Sequence, residues 1–245
     1  MRPTRRPVSA RGCNDDVVKL AATMSRSEQQ QWSELRAFIA AYADRSPVRK
    51  IAVVGNAPLE LSSERAAEVD SADLVVRCNS FVLDDPGARQ PFTGTKVHVV
   101  LLNKSTRVTP WVFQEYRRRG YLLAQGGYTR FRTLRRTPEH WPADLGAWPL
   151  SNKAVVSRLN DLLLPEREPG TLIPTTGMMG VYLARECFPD ADLLATGYSF
   201  LKDREQTEWK HHVGGTVPVH GAHRIDLEGA LLESWIADGS LRFLD

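Results

Sequence analysis

The sequence has little cysteine, no long apolar run and no large excess of either charge. Its three cysteines, Cys13, Cys78 and Cys187, have no metal-type spacing, so we interpret them as free thiols and expect a cytoplasmic protein. No apolar stretch approaches the roughly 20 residues that cross a bilayer, and no membrane span is predicted. A formal net charge of +3 permits an anionic small ligand but is too weak to argue for nucleic acid.

Two common site signatures are also missing. The Gly-x-Gly-x-x-Gly fingerprint of dinucleotide-binding proteins is absent, because the relevant turn reads Gly55-Asn56-Ala57-Pro58. The His-Glu-x-x-His motif is absent, and no cysteine or carboxylate lies at zinc-type spacing from a histidine, so no metal site is predicted. The pair Asp84-Asp85 resembles the acidic pair of metal-dependent glycosyltransferases, but it precedes Pro86-Gly87 and favours a plain turn.

The composition is that of a folded globular protein, with 42% hydrophobic and 25% charged residues. We expect a polar, flexible lead-in over residues 1–26, an N-terminal helix within residues 27–49 and a single catalytic domain over residues 50–245. The basic start lacks the apolar region of a secretory signal. Ser27 and Gln30 resemble a capping box, which predicts a helix over Glu28–Ala43.

Strand and helix patterns alternate from Lys50 onward, which predicts an α/β fold with a doubly wound, mostly parallel, Rossmann-like sheet. The middle segment, Gly126–Leu150, reads either as a lid-like insertion or as a solvated surface excursion. The predicted strands are Ile51–Val54, Leu74–Val76, Val97–Leu101, Tyr121–Ala124, Leu193–Ala195 and Leu241–Leu244. The predicted helices are Ser62–Val69, Pro110–Arg119, Lys153–Leu163, Gly177–Cys187 and Asp226–Ala237.

Two asparagines follow two predicted strands. The first strand ends in the turn Gly55-Asn56, and the second is followed by Asn79. The carboxyl ends of parallel strands are where open α/β sheets bind ligands, and an uncharged amide suits the ribose and phosphate of a nucleotide. The alternative is that both asparagines only cap turns.

A second candidate site is Pro174-Thr175-Thr176-Gly177, which opens an apolar helix. Hydroxyls and backbone N–H groups at a helix N-terminus can bind an anion, and Gly177 lets a ligand approach the backbone. The alternative is that Thr176 is an ordinary N-cap.

Histidines form the third candidate site. Four of the six histidines, His211, His212, His220 and His223, fall within thirteen residues of sequence. His223 precedes a predicted helix N-terminus, whose dipole disfavours imidazolium, so a neutral ring there can act as general base.

A basic segment lies between these sites. It can bind an acidic acceptor or a sugar carboxylate, or it can reflect the general preference of this chain for arginine. Its members are Arg117–Arg119, Arg130, Arg132, Arg135 and Arg136.

Taken in order, these motifs resemble the sialyltransferases of glycosyltransferase family 29, with a looser likeness to the bacterial family 42. The segment from Ala52 through Asn79 is similar to the large sialylmotif, with AVVGN followed by V-x-R-x-N. The segment from Pro174 through Phe200, including Gly197-Tyr198, is similar to the small sialylmotif. His223 and Glu228 match the spacing of the very small sialylmotif.

The resemblance implies an inverting, metal-independent transferase that needs no cofactor besides its CMP-sugar donor, with a sialic-acid-type or Kdo-type sugar. It implies that Gly55, Asn56 and Asn79 hold CMP, together with Thr175, Thr176, Gly177, Gly197 and Tyr198. His223 would be the base, with His220 as rival, and His211 or His212 would stabilise the departing phosphate. Glu228 would have a structural role.

Departures from the family pattern leave other functions open. Ile51 stands where the family has a disulfide cysteine, and the third motif reads His211-His212-Val213-Gly214 instead of a histidine followed by aromatic residues and glutamate. One alternative is therefore a CMP-binding or nucleotide-binding protein of the same fold without transferase activity. Another is an adaptor that binds nucleic acid or anionic membrane through the arginines. The acceptor, which is a glycan or a small hydroxyl compound, and the oligomeric state are not predicted.

Overall fold

A seven-stranded parallel sheet is the centre of the computed structural model, which describes residues 24–103, 108–124, 141–166, 172–212 and 214–245. The strands lie in the order β5-β4-β3-β2-β1-β6-β9, and every neighbouring pair is parallel. Their bounds are β1 Lys50–Val54, β2 Leu74–Cys78, β3 Val99–Asn103, β4 Gly120–Ala124, β5 Trp148–Pro149, β6 Asp192–Thr196 and β9 Arg242–Phe243. The prediction of a doubly wound, mostly parallel α/β sheet is confirmed.

The central strands are almost continuously apolar because helices or loops cover both faces of the sheet. Every residue of β2 is buried, and β1 is buried from Ile51 to Val54. The two strands pair in register from Ile51 opposite Leu74 to Val54 opposite Arg77, so they end side by side.

Five α-helices surround the sheet in the described part of the chain. Their bounds are α1 Arg26–Ala40, α2 Ser63–Asp70, α3 Ser157–Leu163, α4 Thr176–Cys187 and α5 Ile225–Ala237. Helices α1, α3, α4 and α5 contribute to the core on one face of the sheet, and α2 contributes its Val69 to the core on the other face. One π-helical turn, Asn152–Val156, runs directly into α3, so the helix predicted over Lys153–Leu163 is irregular in its first part.

Helix α1 begins two residues earlier than the predicted start. Its N-cap is Ser25, whose hydroxyl accepts a hydrogen bond from Glu28 N–H, while the Glu28 carboxylate accepts one from Ser25 N–H at 2.9 Å. The prediction of a capping box between Ser27 and Gln30 was therefore wrong. Helix α1 packs on the domain that follows it, since Trp32 Nε1 donates to the Ala154 carbonyl at 3.1 Å.

The prediction of a helix over Pro110–Arg119 was also wrong. Only one 3₁₀ turn, Tyr116–Arg118, forms in this segment. Its N-cap, Glu115, has a φ of 49°, a left-handed conformation that interrupts a right-handed helix.

Smaller differences concern strands. Strand β3 lies two residues later than predicted, and the short β5 lies inside the segment Gly126–Leu150 that was expected to be irregular, of which residues 126–140 lie outside the described residues. The sequence reasoning missed an antiparallel hairpin of β7, Glu208–Lys210, and β8, Thr216–Pro218. Strands of only three residues are too short to give a periodic signal.

The loop between β2 and β3 is held by a fully buried arginine. The Arg77 guanidinium donates to the carbonyls of Lys96 and Thr93 and to the Thr93 hydroxyl, at 2.7–2.8 Å. The buried Asp84 carboxylate accepts from the backbone N–H groups of Phe92, Thr93 and Gly94. Asp84 is thus a loop anchor, as the turn interpretation of Asp84-Asp85 indicates.

Candidate active site

The strand order places a topological switch point between β1 and β6. The chain adds β2 to β5 on one side of β1 and β6 and β9 on the other. Crevices outside the carboxyl ends of the strands at such a point are the usual ligand sites of open α/β sheets. The residues that follow β1 and β6 are Gly55-Asn56 and Gly197-Tyr198.

At this point two glycines bring the strand ends into backbone contact. Gly55 N–H donates to the Thr196 carbonyl at 2.8 Å, and Ala57 N–H donates to the Gly197 carbonyl at 3.1 Å. A Cβ atom on Gly55 would lie 2.3 Å from the Gly197 carbonyl oxygen, and Gly197 has a φ of +77°. Both positions therefore require glycine to shape the turn, whatever they bind.

Three asparagines lie at or just after the carboxyl ends of three adjacent strands. Asn56 follows β1, and its side-chain Oδ1 is buried with no hydrogen-bond partner among the described residues. Asn79 follows β2 in a left-handed conformation with a φ of 49°, and its Oδ1 accepts from Asn103 N–H at 3.0 Å. Asn103, the last residue of β3, was missed, although its position at a strand end could have identified it. An unpaired buried amide oxygen is costly unless a ligand or water satisfies it, so Asn56 Oδ1 is a candidate ligand contact.

The N-terminus of α4 lies beside the β2 strand end. Gly180 of α4 packs against Val53 and Cys78, and the Cys78 thiol lies 3.7 Å from the Thr176 carbonyl oxygen. The N-cap of α4 is Thr175, not Thr176, because the Thr175 hydroxyl accepts from Met178 N–H at 3.1 Å. The first turn of α4 thus lies against Cys78, the residue before Asn79.

Two buried side chains fix this helix end. Glu228 of α5 is fully buried and accepts from both the backbone N–H and the hydroxyl of Thr175. Burial raises the pKa of Glu228 to about 7, although these two hydrogen bonds oppose the shift. The buried Tyr198 hydroxyl donates to the Gly177 carbonyl at 3.1 Å, and a Cβ on Gly177 would meet the Tyr198 ring at 2.8 Å. In this structure the side chains of Thr175 and Tyr198 are engaged within the protein.

His223 lies against the segment that leads into α4. Its Nδ1 is 2.6 Å from the Ile173 carbonyl oxygen, two residues before Thr175. A carbonyl can only accept, so Nδ1 carries the hydrogen and Nε2 of the neutral ring keeps its lone pair. Burial is the main cause that lowers the pKa of His223. The ring is therefore held neutral near pH 7, with Nε2 able to accept a proton.

His220 is a neighbour of His223 with a different partner. The two ring centroids are 5.8 Å apart, and the His220 Nδ1 accepts from Ala222 N–H at 3.1 Å. This bond lies within the turn that leads into α5 and does not connect His220 to α4. The two candidates for the base are thus close in space, but only His223 is bonded to the segment before α4.

The pair His211 and His212 lies in the loop between β7 and β8, next to the turn after β1. His212 N–H donates to the Asn56 carbonyl at 3.4 Å, and His212 Nε2 accepts from Leu59 N–H at 2.8 Å. His211 Nδ1 is buried with no hydrogen-bond partner among the described residues. Burial lowers the pKa of both rings. The two histidines therefore differ in their surroundings, which the sequence could not show.

The remaining predictions concern metals, membranes, thiols and arginines. Within the described ranges, no three His, Cys, Asp or Glu side chains cluster as metal ligands, and no helix is long and apolar enough to cross a membrane.

Cys78 and Cys187 are buried free thiols, whereas Cys13, Arg130, Arg132, Arg135 and Arg136 lie outside the described residues. Arg117 pairs with Asp144 at 2.8 Å, and Arg119 donates to the Trp111 carbonyl. An apolar cavity beside Trp32 and Trp148 contains none of the predicted site residues.

The chain has a sialyltransferase-like fold, as a comparison with a solved structure shows. The described structure is similar to the crystal structure of a mammalian sialyltransferase in complex with Gal-beta-1-3GalNAc-ortho-nitrophenol, with a TM-score of 0.50 and 17% sequence identity. That match covers 95% of this chain and 85% of the other. A second crystal structure of a mammalian sialyltransferase gives a TM-score of 0.49 at 16% identity, over 96% and 85% of the two chains. No protein-family model matches the chain, and no curated protein matches it in sequence.

Proposed function

We propose that this protein is a metal-independent glycosyltransferase that moves a sialic-acid-type or Kdo-type sugar from a CMP donor to a hydroxyl group of a glycan or small molecule. His223 removes the proton of that hydroxyl, which attacks the anomeric carbon as CMP departs from the opposite face, with inversion. The observation that carries the proposal is the hydrogen bond between His223 Nδ1 and the Ile173 carbonyl. It leaves Nε2 free as a base beside the N-terminus of α4.

The donor side of the proposal rests on the strand ends and the α4 N-terminus. Asn56 Oδ1 needs a hydrogen-bond donor, which a ribose hydroxyl or a cytosine amino group supplies. Backbone N–H groups of Thr176 and Gly177 at the α4 N-terminus favour a phosphate through the helix dipole. The His211 ring, whose loop lies next to the turn after β1, would interact with the leaving phosphate. The glycoside bound by the mammalian structural neighbour supports a glycan as acceptor.

The proposal is tested with a small panel of CMP-sugars, including CMP-sialic acid and CMP-Kdo, incubated with candidate acceptors. We expect acceptor-dependent release of CMP from one donor, unaffected by a metal chelator. Calorimetry with CMP separates the competing function, since a nucleotide-binding protein without transferase activity would bind CMP and consume no donor. Failure of CMP to bind would contradict both functions.

A further inference from the structure

We propose that His212 is a positioning residue that fastens the loop between β7 and β8 onto the turn after β1 and thereby positions the neighbouring His211. This inference rests on the proposed function, because it assigns the two histidines of that site to different roles. It replaces the open choice between His211 and His212 with one ligand contact and one structural contact.

Three contacts hold His212 within the protein. Its Nε2 accepts from Leu59 N–H at 2.8 Å, its own N–H donates to the Asn56 carbonyl at 3.4 Å, and its ring packs on Phe92 with centroids 4.8 Å apart. These contacts join the hairpin loop, the turn after β1 and the loop after β2. Since Nε2 already accepts from a backbone donor, it cannot donate to a phosphate.

Phe92, on which the His212 ring packs, is itself held by hydrogen bonds of its backbone. Phe92 N–H donates to the buried Asp84 carboxylate, and the Phe92 carbonyl accepts from Arg65 Nε at 2.9 Å. Arg77 binds the next residues of the same loop. A side chain held by such a network is a fixed surface for the His212 ring to pack against.

The charge state of His212 agrees with this role. Only the neutral ring with an unprotonated Nε2 can accept from Leu59 N–H. Burial is the largest cause that lowers the pKa of His212, Arg65 and Arg77 lower it further, and Asp84 opposes them. His212 is therefore neutral near pH 7 and is unsuited to stabilise a departing anion by its charge.

His211 differs from His212, because its ring nitrogen Nδ1 lacks a partner in the described part of the protein. Its Nδ1 is buried, and so is Asn56 Oδ1, and neither atom has a hydrogen-bond partner among the described residues. His211 precedes His212 in the chain, and the Asn56 carbonyl accepts from the His212 N–H. Loss of the His212 contacts would therefore displace both atoms.

The test compares His212→Ala with His212→Gln, whose amide oxygen reaches about as far as Nε2 and can accept from Leu59 N–H. The control is His98→Ala, because His98 Nδ1 likewise accepts from a backbone N–H, that of Val75, at 2.8 Å, but next to the amino end of β3. Three quantities are measured for each variant: hydrogen exchange of the Leu59 amide, CMP affinity by calorimetry, and thermal stability.

We expect His212→Ala to accelerate exchange of the Leu59 amide and weaken CMP binding by about tenfold, the equivalent of one hydrogen bond. His212→Gln should restore most of both, and His98→Ala should lose stability with CMP affinity unchanged. Unchanged CMP affinity in His212→Ala, or no rescue by His212→Gln, would overturn the proposal. If the unmodified protein does not bind CMP, the proposed function fails, and Leu59 exchange alone decides whether His212 fastens the turn.

Discussion

The Glu228 carboxylate accepts two hydrogen bonds from Thr175, at 2.8 Å from the backbone nitrogen and 2.6 Å from the hydroxyl. The two residues are 53 positions apart in the chain, and their contact joins α5 to the N-terminus of α4. Because His223 precedes α5 and is bonded to Ile173, whose N–H also donates to the Ala222 carbonyl at 3.0 Å, further contacts join the same two segments. The position of the candidate base therefore depends on a buried carboxylate.

Glu228→Gln should make stability less dependent on pH. Folding raises the pKa of Glu228 from 4.5 to about 7, so the folded protein holds this proton more tightly than the unfolded chain. The resulting stabilisation is present at acidic pH and is lost as the pH rises through about 7. Between pH 4.5 and 8 the unmodified protein should lose up to about 3 kcal/mol relative to Glu228→Gln.

Urea unfolding at several pH values measures this difference. The control is Glu233→Gln, since Glu233 lies on the same helix and is half exposed beside Arg204. A pH profile of Glu228→Gln that parallels that of the unmodified protein would contradict the assignment.

His223→Asn should reduce kcat/KM by at least about a hundredfold, which is typical for loss of a general base. The asparagine amide can still donate to the Ile173 carbonyl, so CMP binding should persist. In the unmodified protein, activity should rise with pH through a pKa below the usual histidine value, because burial lowers the pKa of His223. That limb should be absent in His223→Asn.

The same substitution at His220 separates the two candidates for the base. In the described part of the chain the His220 ring accepts a hydrogen bond only from the Ala222 N–H and makes none to the segment before α4, so we expect a smaller loss of activity. A larger loss at His220 than at His223 would identify His220 as the base.

Gly55→Ala should destabilise the protein by about 2–3 kcal/mol, since the new methyl group would overlap the Gly197 carbonyl and the strand ends would have to separate. Gly146→Ala is the control, because a Cβ there meets nothing within 4 Å. Chemical unfolding of both variants measures the difference. Equal stability would mean that the two strand ends are farther apart than described.

Ser25→Ala should cost about 1 kcal/mol through loss of the N-cap of α1. Ser27→Ala should change stability by less than about 0.5 kcal/mol, because Ser27 is an exposed residue inside the first turn. Thermal unfolding of the two variants distinguishes the observed helix start from the one that the sequence predicted. The reverse order of the two effects would contradict the structure.

The sequence allowed prediction of those elements whose signal is local. The apolar runs of β1 and β2, the asparagines after them and the threonines before α4 are all visible within a few residues. The start of α1 could not be predicted in this way, because Ser25 with Glu28 and Ser27 with Gln30 present the same capping-box pattern. The burial of Glu28 beside Arg158 of α3, at 3.4 Å, accompanies the observed start.

The arrangement of the candidate site depends on distant contacts that no local pattern reveals. His212 accepts from a residue 153 positions away, and the hairpin that carries it packs through Trp209 on Phe200. The burial of Glu228 and the orientation of His223 likewise follow from the packing of α5 against the segment before α4. Which of these residues contact a substrate stays a prediction.

The two outermost strands of the sheet, β5 and β9, are two residues long each, and β5 ends with Pro149, which has no N–H to donate. Long, flat outer strands invite another chain to add to the hydrogen-bonded ladder and promote aggregation. Edge strands of two residues offer few free backbone groups to which another chain could add. Any self-association of this protein should therefore use side-chain surfaces and not a continuous sheet shared between copies.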